Sequence, residues 1–231
     1  MAAPTGSPPL TWRTSVSVPV PVPTDAKDTA DINAAATPSE QHFICSSDSA
    51  LIQLDALHDA MSSDLMWWAK PLSRPQLVAM VTNSLCLGVY TTDSADGAPQ
   101  SMVGFGRLVT DRVTFAYLTD VYILPAYQRC GLGAWMMRCL RELCHGSEPG
   151  RTGSVPSTDG WPNLRSLWLV ASTESAARMY MGALDAEEAA RYRPQPGVPG
   201  SGMLLVEMPG PANSIRNHAK RNEEAKAAAG T

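Results

Sequence analysis

The stretch from Phe115 to His145, FAYLTDVYILPAYQRCGLGAWMMRCLRELCH, decides how the rest of the chain is read. Phe115–Ile123 is rich in β-branched and aromatic residues and stops at Leu124-Pro125, which predicts a buried strand. A short turn, Ala126 to Cys130, leads into Gly131-Leu132-Gly133. Beyond it Leu132, Trp135, Met136, Cys139, Leu140 and Leu143 share one helical stripe. The pattern is strand, glycine-bearing turn, helix. The first amides of a helix have no partner within it and carry the positive end of its dipole. Glycine at 131 and 133 removes Cβ atoms that would hold an anion away from those amides, and Arg129 adds charge beside them. A phosphate or pyrophosphate is the expected guest. A glycine pair of this kind also serves a plain tight turn. The spacing does not suit the nucleotide alternatives: there is no GxxxxGK[ST], and Trp135 and Met136 stand where a dinucleotide fingerprint needs a small residue.

Gln128-Arg129-Cys130-Gly131-Leu132-Gly133, preceded by an apolar strand and Ile123-Leu124-Pro125, resembles motif A of the GCN5-related N-acetyltransferases, the GNAT superfamily. In that family the motif grips the pyrophosphate of acetyl-coenzyme A. Gly104-Phe105-Gly106-Arg107-Leu108 followed by Phe115–Val121 is similar to the strand pair that enters motif A in its small-molecule members. The resemblance implies an α/β (α+β) fold with a central mixed, mostly antiparallel sheet of six to seven strands flanked by about four helices. It implies acetyl-CoA as cosubstrate, held by Gln128, Arg129, Cys130, Gly131, Leu132, Gly133 and Ala134, with backbone near Tyr122 and Ile123 polarising the thioester. Direct attack by a primary amine is expected, without an acetyl-enzyme.

Tyr180 resembles the tyrosine that relatives place near the coenzyme sulfur as general acid; by the residues alone it is equally an amphipathic core tyrosine. Gly182 stands two residues beyond it, where relatives carry glycine four beyond. Polyamine-acetylating relatives have a glutamate at the position of Thr119, and histone-acetylating ones at that of Tyr117, so neither can be the usual base here. Asp120 is the nearest carboxylate and a candidate ammonium contact or structural group, although strict alternation would turn it to the face opposite Tyr117 and Thr119. Trp67-Trp68, before Lys70-Pro71, are either a core plug at a bend or acceptor contacts, the latter because this segment walls the acceptor pocket in relatives.

The chain has 231 residues, 44% apolar and 17% charged, which suits one globular domain with tails. A net charge of −4 and the lack of a basic stripe argue against a nucleic-acid partner. No apolar run approaches the roughly 18 residues of a membrane span. Five cysteines with no CxxC pairing predict free thiols and a cytoplasmic protein, with Cys130 a packing residue. The histidines share no spacing, so no metal site is expected.

Residues 1–40, rich in Pro, Ala and Thr, predict a disordered tail that lacks a secretory or mitochondrial signal. The domain is expected over 41–210. Its order is a strand at His42–Ser46, a helix capped by Asp48 or Ser49, and a helix Arg74–Ser84 capped by Ser73. An antiparallel meander of Leu85–Thr91, Ser101–Thr110 and the central strand follows. The stretch 146–163 reads as a loop insertion. Leu164–Ala171 predicts a strand buried on both faces and parallel to the central one, then a helix capped by Ser172 or Thr173. Ala186–Gly202, with Arg191, Tyr192 and Arg193, reads as loop; Met203–Met208 closes the sheet, and 211–231 is a charged, Ala-rich tail. The expected activity is acetyl transfer to a small-molecule amine by a monomer or homodimer. A non-catalytic acyl-CoA-binding module and a protein or histone N-acetyltransferase are the alternatives.

Overall fold

A computed structural model describes residues 8–18, 39–147, 158–191 and 202–213. In chain order the strands and helices are β1 (Thr11–Val18), β2 (Ser39–Ser46), α1 (Leu54–Met61), α2 (Arg74–Thr82), β3 (Leu85–Thr92), β4 (Met102–Thr110) and β5 (Phe115–Ile123). They continue with α3 (Leu132–His145), β6 (Ser166–Ala171), α4 (Glu174–Leu184), β7 (Glu187–Arg191) and β8 (Leu204–Pro209). All eight strands form one sheet in the order β1-β2-β3-β4-β5-β6-β8-β7, antiparallel throughout except for β5 and β6. The mixed, mostly antiparallel sheet and the four α-helices follow the expected architecture.

One face of the sheet packs on α3 and α4, where Leu132, Met136, Leu140, Leu143, Ala177 and Leu184 meet Ala116, Leu118, Leu167 and Val206. The other packs on α1 and α2 through Leu57, Met61, Leu77 and Val81 against Ile44, Phe105 and Tyr122. Both pairs meet the same need, which is to cover apolar sheet with buried apolar side chains. Local chemistry sets their ends. Asp48 caps only a single 3-10 turn, Ser49–Leu51, and α1 begins at Leu54. Ser73 and Gln76 form a capping box for α2. Thr173 accepts from the Ala176 amide to start α4.

Several boundaries differ from expectation. Among the described residues the count is eight strands rather than six to seven, because two segments read as tail and loop are strands. Thr11–Val18, within the stretch expected to be disordered, pairs residue for residue with Ser39–Ser46. Its Trp12 is 2% exposed and donates its indole N–H to the buried Glu142 carboxylate on α3 at 2.8 Å. The flanking Pro-rich composition hides an eight-residue alternating strand. Trp12→Phe leaves a smaller aromatic ring and takes that donor from Glu142, and we expect a stability loss of at least about 1–3 kcal/mol in urea unfolding. Glu187–Arg191 has little intrinsic strand propensity and is exposed throughout; pairing to β8 makes it a strand. β6 is buried on the α3/α4 face alone: Leu167, Leu169 and Ala171 point inward, whereas Trp168 is 39% exposed. Of the insertion, Ser147 and Thr158 join the two described ends, and Trp161 N–H reaches the Cys144 carbonyl. Tyr192, Arg193, the middle of the insertion and most of both tails lie outside the described residues.

Candidate functional site

The site is built where β5 loses its partner. β5 and β6 run side by side from Phe115–Ser166 to Leu118–Leu169 and pair no further, although β5 continues to Ile123 and β6 to Ala171. The strands diverge and leave one edge of residues 119–123 open. On its other edge β5 carries a bulge. Arg107 pairs with Thr119 and Phe105 with Tyr122, so Asp120 and Val121 together face Gly106. Asp120 takes the left-handed φ of 53° that this requires. The bulge reverses the alternation. Ala116 and Leu118 point to α3 before it, Val121 and Ile123 after it, and Tyr122 packs on Phe105 on the α1/α2 face.

That reversal answers the objection raised by strict alternation. Asp120 lies on the same face as Thr119, whose hydroxyl is 3.4 Å from Oδ1. Its Oδ2 accepts from Arg107 Nε at 2.7 Å and Nη2 at 2.6 Å, while Arg107 Nη1 donates to Ser84 Oγ at 3.2 Å. Both charges are largely withdrawn from water, at 9% and 18% side-chain exposure. Asp120 is therefore first a member of a buried ion pair that holds the bulge. Arg107 was missed in the sequence, although an arginine between apolar strand residues already asks for a partner.

After Ile123 the chain makes a 3-10 turn, Pro125–Tyr127, fixed by Tyr127 N–H to the Leu124 carbonyl. Leu124 N–H donates to Val103 on β4, so Ile123, one residue earlier, directs its N–H and carbonyl to the open edge. Gln128 Nε2 donates to that carbonyl at 2.8 Å, and the Ile123 N–H is left facing the gap. The Tyr122 backbone turns instead toward β4, its carbonyl beside Gly104. Of the two residues expected to polarise a thioester, Ile123 has the geometry.

The turn then winds through two left-handed residues, Arg129 (φ 63°) and Gly131 (φ 87°), with the Cys130 thiol donating to the Tyr127 carbonyl at 2.8 Å. The first intrahelical bond of α3 is Trp135 N–H to the Gly131 carbonyl. The amides of Arg129 to Ala134 meet no acceptor among the described residues. No acidic side chain stands in the first turn. A Cβ built on Gly131 would meet nothing within 4 Å, and one on Gly133 only Ile123 Cγ1 at 3.9 Å. The space over these amides is open, and exposed amides at a helix start are a setting that favours an anion. Leu132, 1% exposed, anchors the cradle from below.

Tyr180 lies half-buried on α4 against the same core, and its hydroxyl has no partner among the described residues. Burial pushes it up to about 12, so it stays protonated at any working pH. Trp67 and Trp68 are not a core plug. They are 53% and 44% exposed and meet edge to face at 5.8 Å after a 3-10 turn whose Met66 is buried. Tyr117 and Thr119 are half-buried on the α1/α2 face of β5. Burial raises the thiols of Cys86 (to about 12), Cys139 and Cys144, so these three offer no thiolate near neutral pH.

This geometry defines an acyl-coenzyme A fold, and the chain belongs to the GNAT acetyltransferase family. The model of the Acetyltransferase (GNAT) family matches residues 55–150. A Gibberella zeae protein named "Putative acetyltransferase FG08082" is 35% identical over 179 residues, 73% of this chain and 90% of its own length. Among solved structures, a GNAT-family protein of Xanthomonas campestris pv. campestris is 31% identical over 42% of this chain and 63% of its own, with a TM-score of 0.37. A Vibrio cholerae spermidine N-acetyltransferase in complex with CoA and spermine is 14% identical over 67% of this chain and 87% of its own, with a TM-score of 0.45. The activity of the family is acetyl transfer from acetyl-CoA to an amine. Among the described residues no helix is long and apolar enough to cross a membrane.

Proposed function

We propose that this chain transfers the acetyl group of acetyl-CoA to the primary amine of a small molecule in the cytoplasm by direct attack. The observation that carries the reading is the run of amides from Arg129 to Ala134 that meet no acceptor among the described residues, beside the open edge of β5. Acetyl-CoA supplies the activated acyl carbon. The amides bind its diphosphate, with the Arg129 side chain at the mouth. Ile123 N–H donates to the acyl oxygen as charge gathers there. The amine nitrogen forms its bond to the acyl carbon as the carbon–sulfur bond breaks. Tyr180 gives its proton to the departing sulfur, and water carries off the proton shed by nitrogen. Direct attack is supported by the burial of Cys86, Cys139 and Cys144 and by the Cys130 thiol, which donates to the Tyr127 carbonyl.

The test is calorimetric binding of acetyl-CoA followed by thiol release with a panel of amines. Tyr180→Phe is expected to lower kcat about 10²- to 10⁴-fold without changing acetyl-CoA affinity. With the phenol pushed up to about 12, the wild-type rate has no alkaline loss from Tyr180 below about pH 11. An unaltered kcat in Tyr180→Phe removes the tyrosine from the mechanism. The second reading, an acyl-CoA-binding module without turnover, is favoured by one observation: Asp120 is engaged by Arg107, and Tyr117 and Thr119 supply no carboxylate. Cofactor binding with no thiol release for any amine would select it.

A further inference from the structure

The buried cluster under α1 and α2 takes side chains from β2 to β5 and none from β6, β7 or β8. That face of the sheet is therefore left uncovered over the last three strands. A row of side chains crosses it: Tyr117 on β5 pairs with Trp168 on β6, Trp168 with Glu207 on β8, and Glu207 with Glu187 on β7. They share the face because Leu118, Leu169 and Val206, one step along each strand, are buried against α3 and α4. Phe115 joins the same patch. It and Trp168 are each 39% exposed, and their rings meet edge to face at 5.6 Å. Tyr117 lies about 17 Å along β5 before the Ile123 N–H, so the patch stands apart from the acyl site.

The acidic end of the row is left unbalanced. Glu187 and Glu207 stand directly opposite each other on neighbouring strands, where like charges destabilise a sheet. Glu207 Oε1 accepts from the Ser166 hydroxyl and, at 3.4 Å, from the Asn213 amide, both neutral donors. No cation among the described residues bonds to either carboxylate. Arg191, on the same strand as Glu187, is held instead by Glu188 and Glu174. Exposed aromatic rings beside two uncompensated carboxylates suit a segment that carries cations next to an aliphatic side chain.

The chain itself brings such a segment to this place. Asn213 is buried, and its Nδ2 reaches the Arg165 carbonyl at 3.1 Å and Ser166 Oγ at 3.5 Å as well as Glu207. Ser166 and Glu207 both point to the uncovered face, so the last described residue stands on it, beside Phe115, the strand partner of Ser166. The sequence continues Ser214-Ile215-Arg216-Asn217-His218-Ala219-Lys220-Arg221. Three residues of extended chain span up to about 10 Å, which brings Arg216 within reach of both carboxylates and Ile215 within reach of the two rings. A tethered segment acts at an effective concentration of roughly millimolar, an advantage over any untethered partner of the same chemistry. We infer that residues 214–221 dock on this face, Ile215 on Phe115 and Trp168, and the basic side chains, Arg216 first, at Glu187 and Glu207. The docking goes beyond acetyl transfer and does not depend on it.

The test is hydrogen–deuterium exchange of the full chain, read by mass spectrometry over residues 214–221, with a synthetic peptide of residues 214–231 as the unprotected reference. Wild-type amides in this stretch should exchange at least about tenfold more slowly than in the free peptide. The double variant Glu187→Gln, Glu207→Gln keeps both side-chain shapes and an acceptor for Ser166 and Asn213. It should bring exchange to within about threefold of the peptide. Trp168→Ala should accelerate exchange at least about threefold. Amides of Cys139–Leu143 on α3, behind the opposite face, report in each variant that the domain is folded. Wild-type exchange within about twofold of the peptide overturns the inference. So does protection that neither substitution lowers while the α3 amides stay slow. Protection that rises with protein concentration overturns it as well, because it makes a second copy of the chain the occupant.

Discussion

Gly133→Glu should abolish acetyl-CoA binding while leaving the protein as stable as before or more so. The two halves of this result have opposite physical origins. A Cβ at position 133 would meet only Ile123 Cγ1 at 3.9 Å, an ordinary contact, so the larger side chain enters without displacing its neighbours. Replacing glycine inside a helix gains up to about 0.5–1 kcal/mol of backbone propensity. A carboxylate in the first turn adds about 0.3–1 kcal/mol through the helix dipole. Both terms favour the folded state. The same carboxylate occupies the cradle and takes the positive field that a diphosphate would use. Two charge-assisted bonds lost, at about 1.5–3 kcal/mol each, weaken binding about 10²- to 10⁴-fold, and repulsion between like charges adds to this. Calorimetry with acetyl-CoA and a thermal melt of the same preparation read the two halves separately. Wild-type affinity in a folded Gly133→Glu variant would mean that the amides of α3 do not hold the coenzyme.

How much of this was legible in the sequence depends on whether the signal was local. The central strand, the turn and α3 follow from residues next to one another. Leu124-Pro125 stops a β run, glycine recurs at the helix start, and the apolar period changes, so Phe115–Ile123 and the helix at Leu132 appear where expected. The cradle is likewise a property of a few consecutive residues. What the sequence did not yield is pairwise. β1 was hidden because Thr11–Val18 is ordered by Ser39–Ser46 and by Glu142, 130 positions away from Trp12. β7 was hidden because β8, not its own composition, makes it a strand. The exposure of Trp168 could not be read from the run Leu167 to Val170, since nothing in that run says that only one sheet face is covered over β6.

The bulge shows the same division. Alternation places Asp120 toward α3, and only the register between β4 and β5, offset across Gly106, turns it to the other face. The consequence reaches the chemistry. The offset sends Val121 and Ile123 inward and directs the Ile123 N–H at the gap. A residue in a left-handed conformation and a buried ion pair thus set the direction of a backbone donor three positions later.

Asp120→Asn tests that arrangement, and a loss of about 3–5 kcal/mol in folding stability is expected. Asparagine is the informative substitution because it tolerates the left-handed φ of 53° and keeps the shape of the side chain. The backbone is therefore spared, and what remains is the guanidinium of Arg107, 18% exposed and no longer matched by a charge. Asp120→Ala would add about 1–2 kcal/mol of backbone strain and confuse the two causes. Chemical denaturation gives the stability, and kcat and KM are taken at a temperature where the variant is fully folded. A large stability loss with kcat reduced no more than about tenfold identifies Asp120 as the residue that positions the bulge. An unchanged midpoint with kcat reduced about a thousandfold would instead make it the group that touches the amine, and would mean that Arg107 holds it for that purpose. The structure favours the first outcome, because Arg107 Nε and Nη2 both address the same carboxylate oxygen, leaving the other to the Thr119 hydroxyl.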